Sequence, residues 1–173
     1  GVAMVRLLEA HEHAGPEELQ RAPLLLAPDG GQLSSPDRLF GERDAVQGLG
    51  KVPVNVGLLG VDYLSLTAHK IGGPQGAGAL WHRAGAPLKA VQYGGGQERG
   101  LRSGTENVAA IAGFAAAVEA ALRDMPKYQA LGPLRDAMEA RLEAEGGVIV
   151  TGKASPRLAG VSNFTKPGFP AET

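Results

Sequence analysis

Four short stretches of this 173-residue sequence hold side chains with chemical potential. They are Asp44-Ala45-Val46-Gln47, Thr67-Ala68-His69-Lys70, Gly94-Gly95-Gly96 and Arg99-Gly100-Leu101-Arg102-Ser103-Gly104-Thr105. Lys70 follows a predicted strand and precedes a glycine turn, so it is either an amine nucleophile or a solvated surface charge. His69 beside it most simply reads as a satisfied structural histidine. Asp44 and Gln47 have the types and spacing of a capping box, which makes a helix start the alternative to a ligand site. Three consecutive glycines most simply make a turn, and Arg99 and Arg102 most simply make exposed charges beside a helix N-terminus.

The elements that must carry these residues are partly visible. Val61-Asp62-Tyr63-Leu64-Ser65-Leu66 reads as a buried strand ending in Thr67-Ala68-His69-Lys70, and Gly78-Ala79-Leu80-Trp81 reads as a second one. The Gly72 to Gly76 loop then joins two neighbouring strands, with Lys70 at a strand end. Val108, Ile111, Phe114, Val118 and Leu122 recur at helical spacing and predict a helix from about Glu106 to Arg123. Ser103 and Glu106 have the spacing to cap it. A second helix is expected after Pro133, with Leu134, Met138 and Leu142 as its apolar stripe and Gly146-Gly147 as its stop. Val148-Ile149-Val150 follows as a strand. The order strand, helix, helix, strand points to α/β or α+β. Residues 1–13 have a weak helical pattern, and prolines and glycines break up the chain from Gly15 to Gly41.

Composition narrows the functions. Lys and Arg total 17 against 18 Asp and Glu, a formal charge of -1, which gives no electrostatic reason to expect nucleic acid or an anionic membrane as partner. No run approaches the roughly 20 apolar residues of a membrane span, and no secretory signal is evident, so the expected compartment is the cytoplasm. The sequence holds no cysteine, which removes disulfides, thiolate metal sites and a thiol nucleophile from this chain.

Together the motifs resemble one family. Asp44-Ala45-Val46-Gln47, then Ala68-His69-Lys70-Ile71-Gly72-Gly73-Pro74-Gln75-Gly76, then Gly94-Gly95-Gly96-Gln97-Glu98-Arg99-Gly100-Leu101-Arg102-Ser103-Gly104-Thr105-Glu106-Asn107 are similar to successive signatures of the cysteine desulfurases, the NifS/IscS-like class V aminotransferases. The likeness runs from Asp44 to about Ala120 and, more loosely, through Val161-Ser162-Asn163-Phe164. It implies an α/β fold: part of the large domain of a fold-type I transferase, with a mostly parallel sheet flanked by helices. Residues 1–43 match poorly, 44–145 correspond to the cofactor-binding portion of the large domain, and 146–173 to the start of a small C-terminal domain.

The resemblance implies pyridoxal 5'-phosphate as cofactor and assigns roles. Lys70 is the catalytic amine that joins the cofactor aldehyde and shuttles a proton at the substrate α-carbon. Asp44 keeps the pyridine nitrogen protonated, and Gln47 hydrogen-bonds the ring hydroxyl. Thr67, where the family usually has serine, contacts the phosphate together with His69, and Thr105 reaches the phosphate of a partner protomer in a homodimer. The implied reaction converts L-cysteine to L-alanine and passes sulfur, by way of an acceptor or scaffold protein, toward iron-sulfur clusters or tRNA thiolation. In the family a buried strand delivers the Asp-x-x-Gln motif, whereas Arg38-Leu39-Phe40-Gly41-Glu42-Arg43 does not read as one. The persulfide cysteine and the substrate-binding arginine would lie beyond Thr173, so the expectation is a fragment without desulfurase activity of its own. A selenocysteine lyase shares the lysine and phosphate residues, and a degenerate module acting only through protein contacts is the non-enzymatic alternative.

Overall fold

The computed structural model describes residues 42–169, so the helix expected over 1–13 and the broken stretch to Gly41 lie outside the described residues. At the centre is β2 (Tyr63–Thr67), the middle strand of a sheet that, among the described residues, has the order β1-β2-β3, with β1 at Glu42–Asp44 and β3 at Gly78–His82. Successive strand residues face opposite sides, and here Leu64 and Leu66 point into the core while Tyr63, Ser65 and Thr67 are half-buried. β3 is antiparallel to β2, with Leu64 opposite Trp81 and Thr67 opposite Gly78. Gly78 is required there because a Cβ would stand 2.9 Å from the Leu66 carbonyl oxygen. The loop from Gly72 to Gly76 joins these two neighbours, as its composition predicts.

β1 is parallel to β2, with Asp44 opposite Ser65. A strand therefore does lead into Asp44, over Glu42–Asp44, but it is exposed and not a buried one; Arg38 to Gly41 lie outside the described residues. Its side chains are exposed, so no apolar alternation marks it, and backbone pairing with β2 is what makes it a strand. One parallel and one antiparallel pairing make the described sheet mixed.

Two helices pack against this sheet. α1 (Val56–Leu59) is a single turn, begun by Asn55 Oδ1 accepting from Leu58 N at 3.0 Å and ended by Gly60 at φ 61°. α2 (Val108–Gln129) buries Ala110, Phe114 and Val118 against Leu49, Val56, Val61, Leu64 and Leu66. Its start differs from expectation. Asn107 is the cap, its Oδ1 accepting from Ala110 N at 3.2 Å, whereas Ser103 is buried and its hydroxyl accepts from Gly96 N at 3.3 Å. Replacing Asn107 with Ala is expected to cost about 1 kcal/mol in urea unfolding, and Ser103→Ala is expected to leave the helix itself intact by circular dichroism.

α3 (Gly132–Gly146) has Pro133 in its first turn and is capped at its C-terminus by Gly147, φ 59°. The expected stripe is not its buried face: Leu134 and Met138 are exposed, and Glu139 is the buried residue. The carboxylate of Glu139 accepts from both Arg157 nitrogens at 2.6 and 2.8 Å and from Ser162 Oγ at 2.6 Å. A long-range ion pair, which helical periodicity does not register, chose the face. Beyond α3, β4 (Ile149–Val150) pairs antiparallel with β5 (Phe164–Thr165) in a separate small sheet.

Candidate active site

Because β1 and β2 run parallel, their C-terminal ends share one edge of the sheet, the edge where open α/β sheets bind ligands. Asp44 is the last residue of β1 and Thr67 the last of β2, and a 3-10 turn, His69–Ile71, follows at once. Asp44, Thr67, His69 and Lys70 are thereby gathered at strand ends that lie side by side, and Gln47 follows in the turn after β1.

That turn is not a helix. Gly48 N and Leu49 N both donate to Ala45 O at 3.0 Å, and Val52 N donates to Gly48 O at 3.0 Å, giving two linked turns. Asp44 caps the first through Oδ1, which accepts from Val46 N at 2.8 Å. The capping-box reading of Asp44 and Gln47 is thus corrected to a capped turn, with Gln47 exposed and its Oε1 accepting from Lys51 Nζ at 3.2 Å.

The Lys70 turn is held on the other side. Ala68 is fully buried; its N–H donates to Ala77 O, and its carbonyl accepts from Ile71 N at 3.1 Å and Gly73 N at 2.9 Å. A Cβ at Gly73 would stand 2.9 Å from Ala68 Cβ and 3.1 Å from Ala117 Cβ of α2. The turn therefore rests on the helix with no room to spare, while His69 and Lys70 stay exposed. Thr67 Oγ1 lies 2.9 Å from His69 Nδ1 and 3.4 Å from Ala77 O. When the hydroxyl donates to Ala77 O, the imidazole donates from Nδ1, and Nε2 takes no part in that bond.

The glycine-arginine motif forms its own loop. Gly94, Gly96, Gly100 and Gly104 have φ of 155, 80, 80 and 126°, and Glu98 and Arg99 also adopt positive φ, 49 and 60°. Gly104 N donates to Gln97 Oε1 at 3.1 Å and Ser103 N to Gln92 O at 3.0 Å, closing the loop on itself. Thr105 stands exposed where this loop leads into α2, on a different segment from the strand-end group.

Two features of the structure have no clear signature in the sequence. Lys51 joins Gln47, and its signal was only the four-residue spacing. Asp62 is buried and pairs with Arg83 at 2.6 Å, while Arg83 also donates to Val61 O at 3.1 Å. That pair sits where the chain enters β2, at the end opposite Lys70, and ties β3 to β2. Among the described residues no group of His, Asp and Glu is placed to hold a metal ion, and no helix is long and apolar enough to cross a membrane.

Comparison with known proteins places these residues in a family context. The model of the class-V aminotransferases matches residues 42–172. A cysteine desulfurase IscS of Dictyoglomus turgidum is 43% identical over 129 residues, which are 73% of this chain and 33% of that protein. One from Clostridium botulinum is 38% identical over 147 residues, 83% of this chain and 37% of the relative. The chain thus spans about a third of the length of the curated relatives it matches. Among solved structures, a NifS-like protein from Rickettsia africae superposes with a TM-score of 0.72 at 35% identity, over 76% of this chain and 37% of the other. DndA from Streptomyces lividans gives 0.66 at 36% identity, over 77% and 39%.

Proposed function

The chain belongs to the class V aminotransferase family, and from that membership we propose that it is the lysine-bearing portion of a pyridoxal-phosphate cysteine desulfurase. One observation carries the reading: parallel strands bring a carboxylate (Asp44), a hydroxyl (Thr67), an imidazole (His69) and a primary amine (Lys70) to one sheet edge. This donor set fits the cofactor, which needs an amine for its aldehyde, a carboxylate for its ring nitrogen and donors for its phosphate.

When bound, pyridoxal phosphate supplies an aldehyde that condenses with amines and a ring that accepts electrons from the substrate α-carbon. Lys70 holds the cofactor and moves a proton at that carbon. Asp44 pairs with the ring nitrogen and favours its protonated form. Gln47 serves the ring hydroxyl. Thr67 and His69, already joined to each other, serve the phosphate, with Thr105 reaching the phosphate of a partner protomer. The same reading carries a homodimer, a cytoplasmic setting, L-cysteine as substrate, a sulfur-accepting protein partner in iron-sulfur cluster assembly or thiolation, and a division at about residue 145 between large and small domains.

The thiol that takes the sulfur is not among these 173 residues, which contain no cysteine. The chain by itself is therefore expected to release no sulfide from L-cysteine, with or without reductant. Purified chain supplied with pyridoxal phosphate should develop a visible absorbance band that borohydride bleaches. Lys70→Ala should abolish the band while leaving the circular dichroism spectrum unchanged. Absence of the band in the wild-type chain would refute cofactor binding here.

A further inference from the structure

The turn after β1 carries a cation that none of the roles above employs. Lys51 lies four residues beyond Gln47, and its Nζ donates to Gln47 Oε1 at 3.2 Å. An ammonium has donors only, so the atom it meets on an amide is the oxygen. The end of Gln47 left for a ligand is then Nε2, a donor.

The backbone makes this arrangement a built one. Gly50 has φ +70°, and a Cβ on it would stand 2.5 Å from Ala121 Cβ of α2 and 3.4 Å from Ile71 Cγ2, next to Lys70. That close approach seats the Gln47–Lys51 turn against both α2 and the Lys70 turn. Lys51 is half-buried; burial first, and the charge of Lys70 second, push its pKa down from the ordinary lysine value. The groups that act on it are Lys70 on the adjoining turn and Gln47 on its own segment, while the uncharged Ala121 of α2 packs at the neighbouring Gly50.

Resting on the cofactor reading of the same edge, we infer that Lys51 is a positioning residue: its ammonium holds the Gln47 amide oxygen and so presents Nε2 as a hydrogen-bond donor to the cofactor's ring hydroxyl. A donor at that oxygen favours its ionised form. Without Lys51 the amide is free to turn its acceptor end toward the site.

The test uses the pH titration of the cofactor chromophore in the full chain, with thermal melting as a folding control. In Lys51→Met the titration midpoint is expected to rise by about 0.5–1 pH unit, the size of one hydrogen bond gained or lost. Lys51→Arg, which keeps a donor-only cation, should restore most of the wild-type midpoint. In a Gln47→Leu background, Lys51→Met should produce no further shift. A shift of the same size in that background would show that the charge of Lys51 acts directly and would overturn the role through Gln47. Coincident titrations of wild type and Lys51→Met would overturn it too. A wild-type chain with no chromophore would instead sink the cofactor reading, and this inference with it.

Discussion

Phe114→Ala is expected to lower the free energy of unfolding by about 3–5 kcal/mol, the cost of removing a large aromatic side chain from a packed interior. Phe114 is 2% exposed and faces the sheet from the middle of α2, in the same cluster as Leu64, which is 0% exposed on the central strand. A domain of this kind has about 5–15 kcal/mol of total stability, so the loss removes a large fraction of it. At about 2–4 °C per kcal/mol, the melting temperature should fall by about 6–20 °C. The consequence reaches the site. Ala117 and Ala121, on the same helix, are what Gly73 and Gly50 pack against, so a loosened α2 releases both turns of the candidate active site. Val108→Ala, at a residue 70% exposed on the same helix, is the control and should change stability by less than about 0.5 kcal/mol. Chemical denaturation of the two variants side by side decides the matter: equal, small effects would mean that α2 does not bury the face described.

How much of this was legible in the sequence depended on what kind of force made each element. α2 and β2 are made by burial of apolar stripes, and the spacing of Ile111, Phe114, Val118 and Leu122 and the run through Leu64 and Leu66 announced them within a few residues. α2 extends past Arg123 through Pro126 to Gln129, further than its apolar pattern. β1 is made by backbone hydrogen bonds to a neighbour 21 residues along the chain, Asp44 opposite Ser65, and its charged, exposed residues carry no trace of that. The cap of α2 was misplaced because Ser103 and Asn107 are both good capping types. Only the glycine loop, which needs the Ser103 hydroxyl for Gly96 N, decides between them. At the site, the types of Asp44, Gln47, Thr67, His69 and Lys70 were readable as motifs. Their shared edge followed only once β1 and β2 were known to be parallel. Nothing in the sequence beyond its spacing marks Lys51, because its meaning lies in a hydrogen bond to a side chain that already has another task.

Glu139→Gln is expected to make the protein less stable at neutral pH and to remove a component of its acid sensitivity. Glu139 is 1% exposed and Arg157 15% exposed at the side chain, so each depends on the other for solvation. The hydrogen bonds from Arg157 come first, then that from Ser162, and together they hold the Glu139 pKa down to about 2 from an ordinary 4.5, against the opposing effect of burial. Between those values the unfolded chain binds a proton at this residue and the folded chain does not, so stability rises with pH across that window. The contribution is complete above about pH 4.5 and is lost as pH falls toward 2. The cluster has structural reach: Arg157 and Ser162 belong to the segment joining β4 to β5, which Arg135 also grips by donating to Leu158 O at 2.8 Å. Tyr128 on α2 adds a hold, its hydroxyl accepting from Gly160 N at 3.0 Å. In the Gln variant Arg157 keeps its place without a full countercharge, the costlier half of a broken buried pair. Urea midpoints of wild type and Glu139→Gln should therefore differ most at pH 7 and converge as the pH is lowered from 4.5 toward 2. Ser162→Ala, which leaves the ion pair intact, should show a smaller loss. A constant gap between Glu139→Gln and wild type across that range would mean that the carboxylate does not stay ionised in the folded chain, and that packing alone holds the β4–β5 segment to α3.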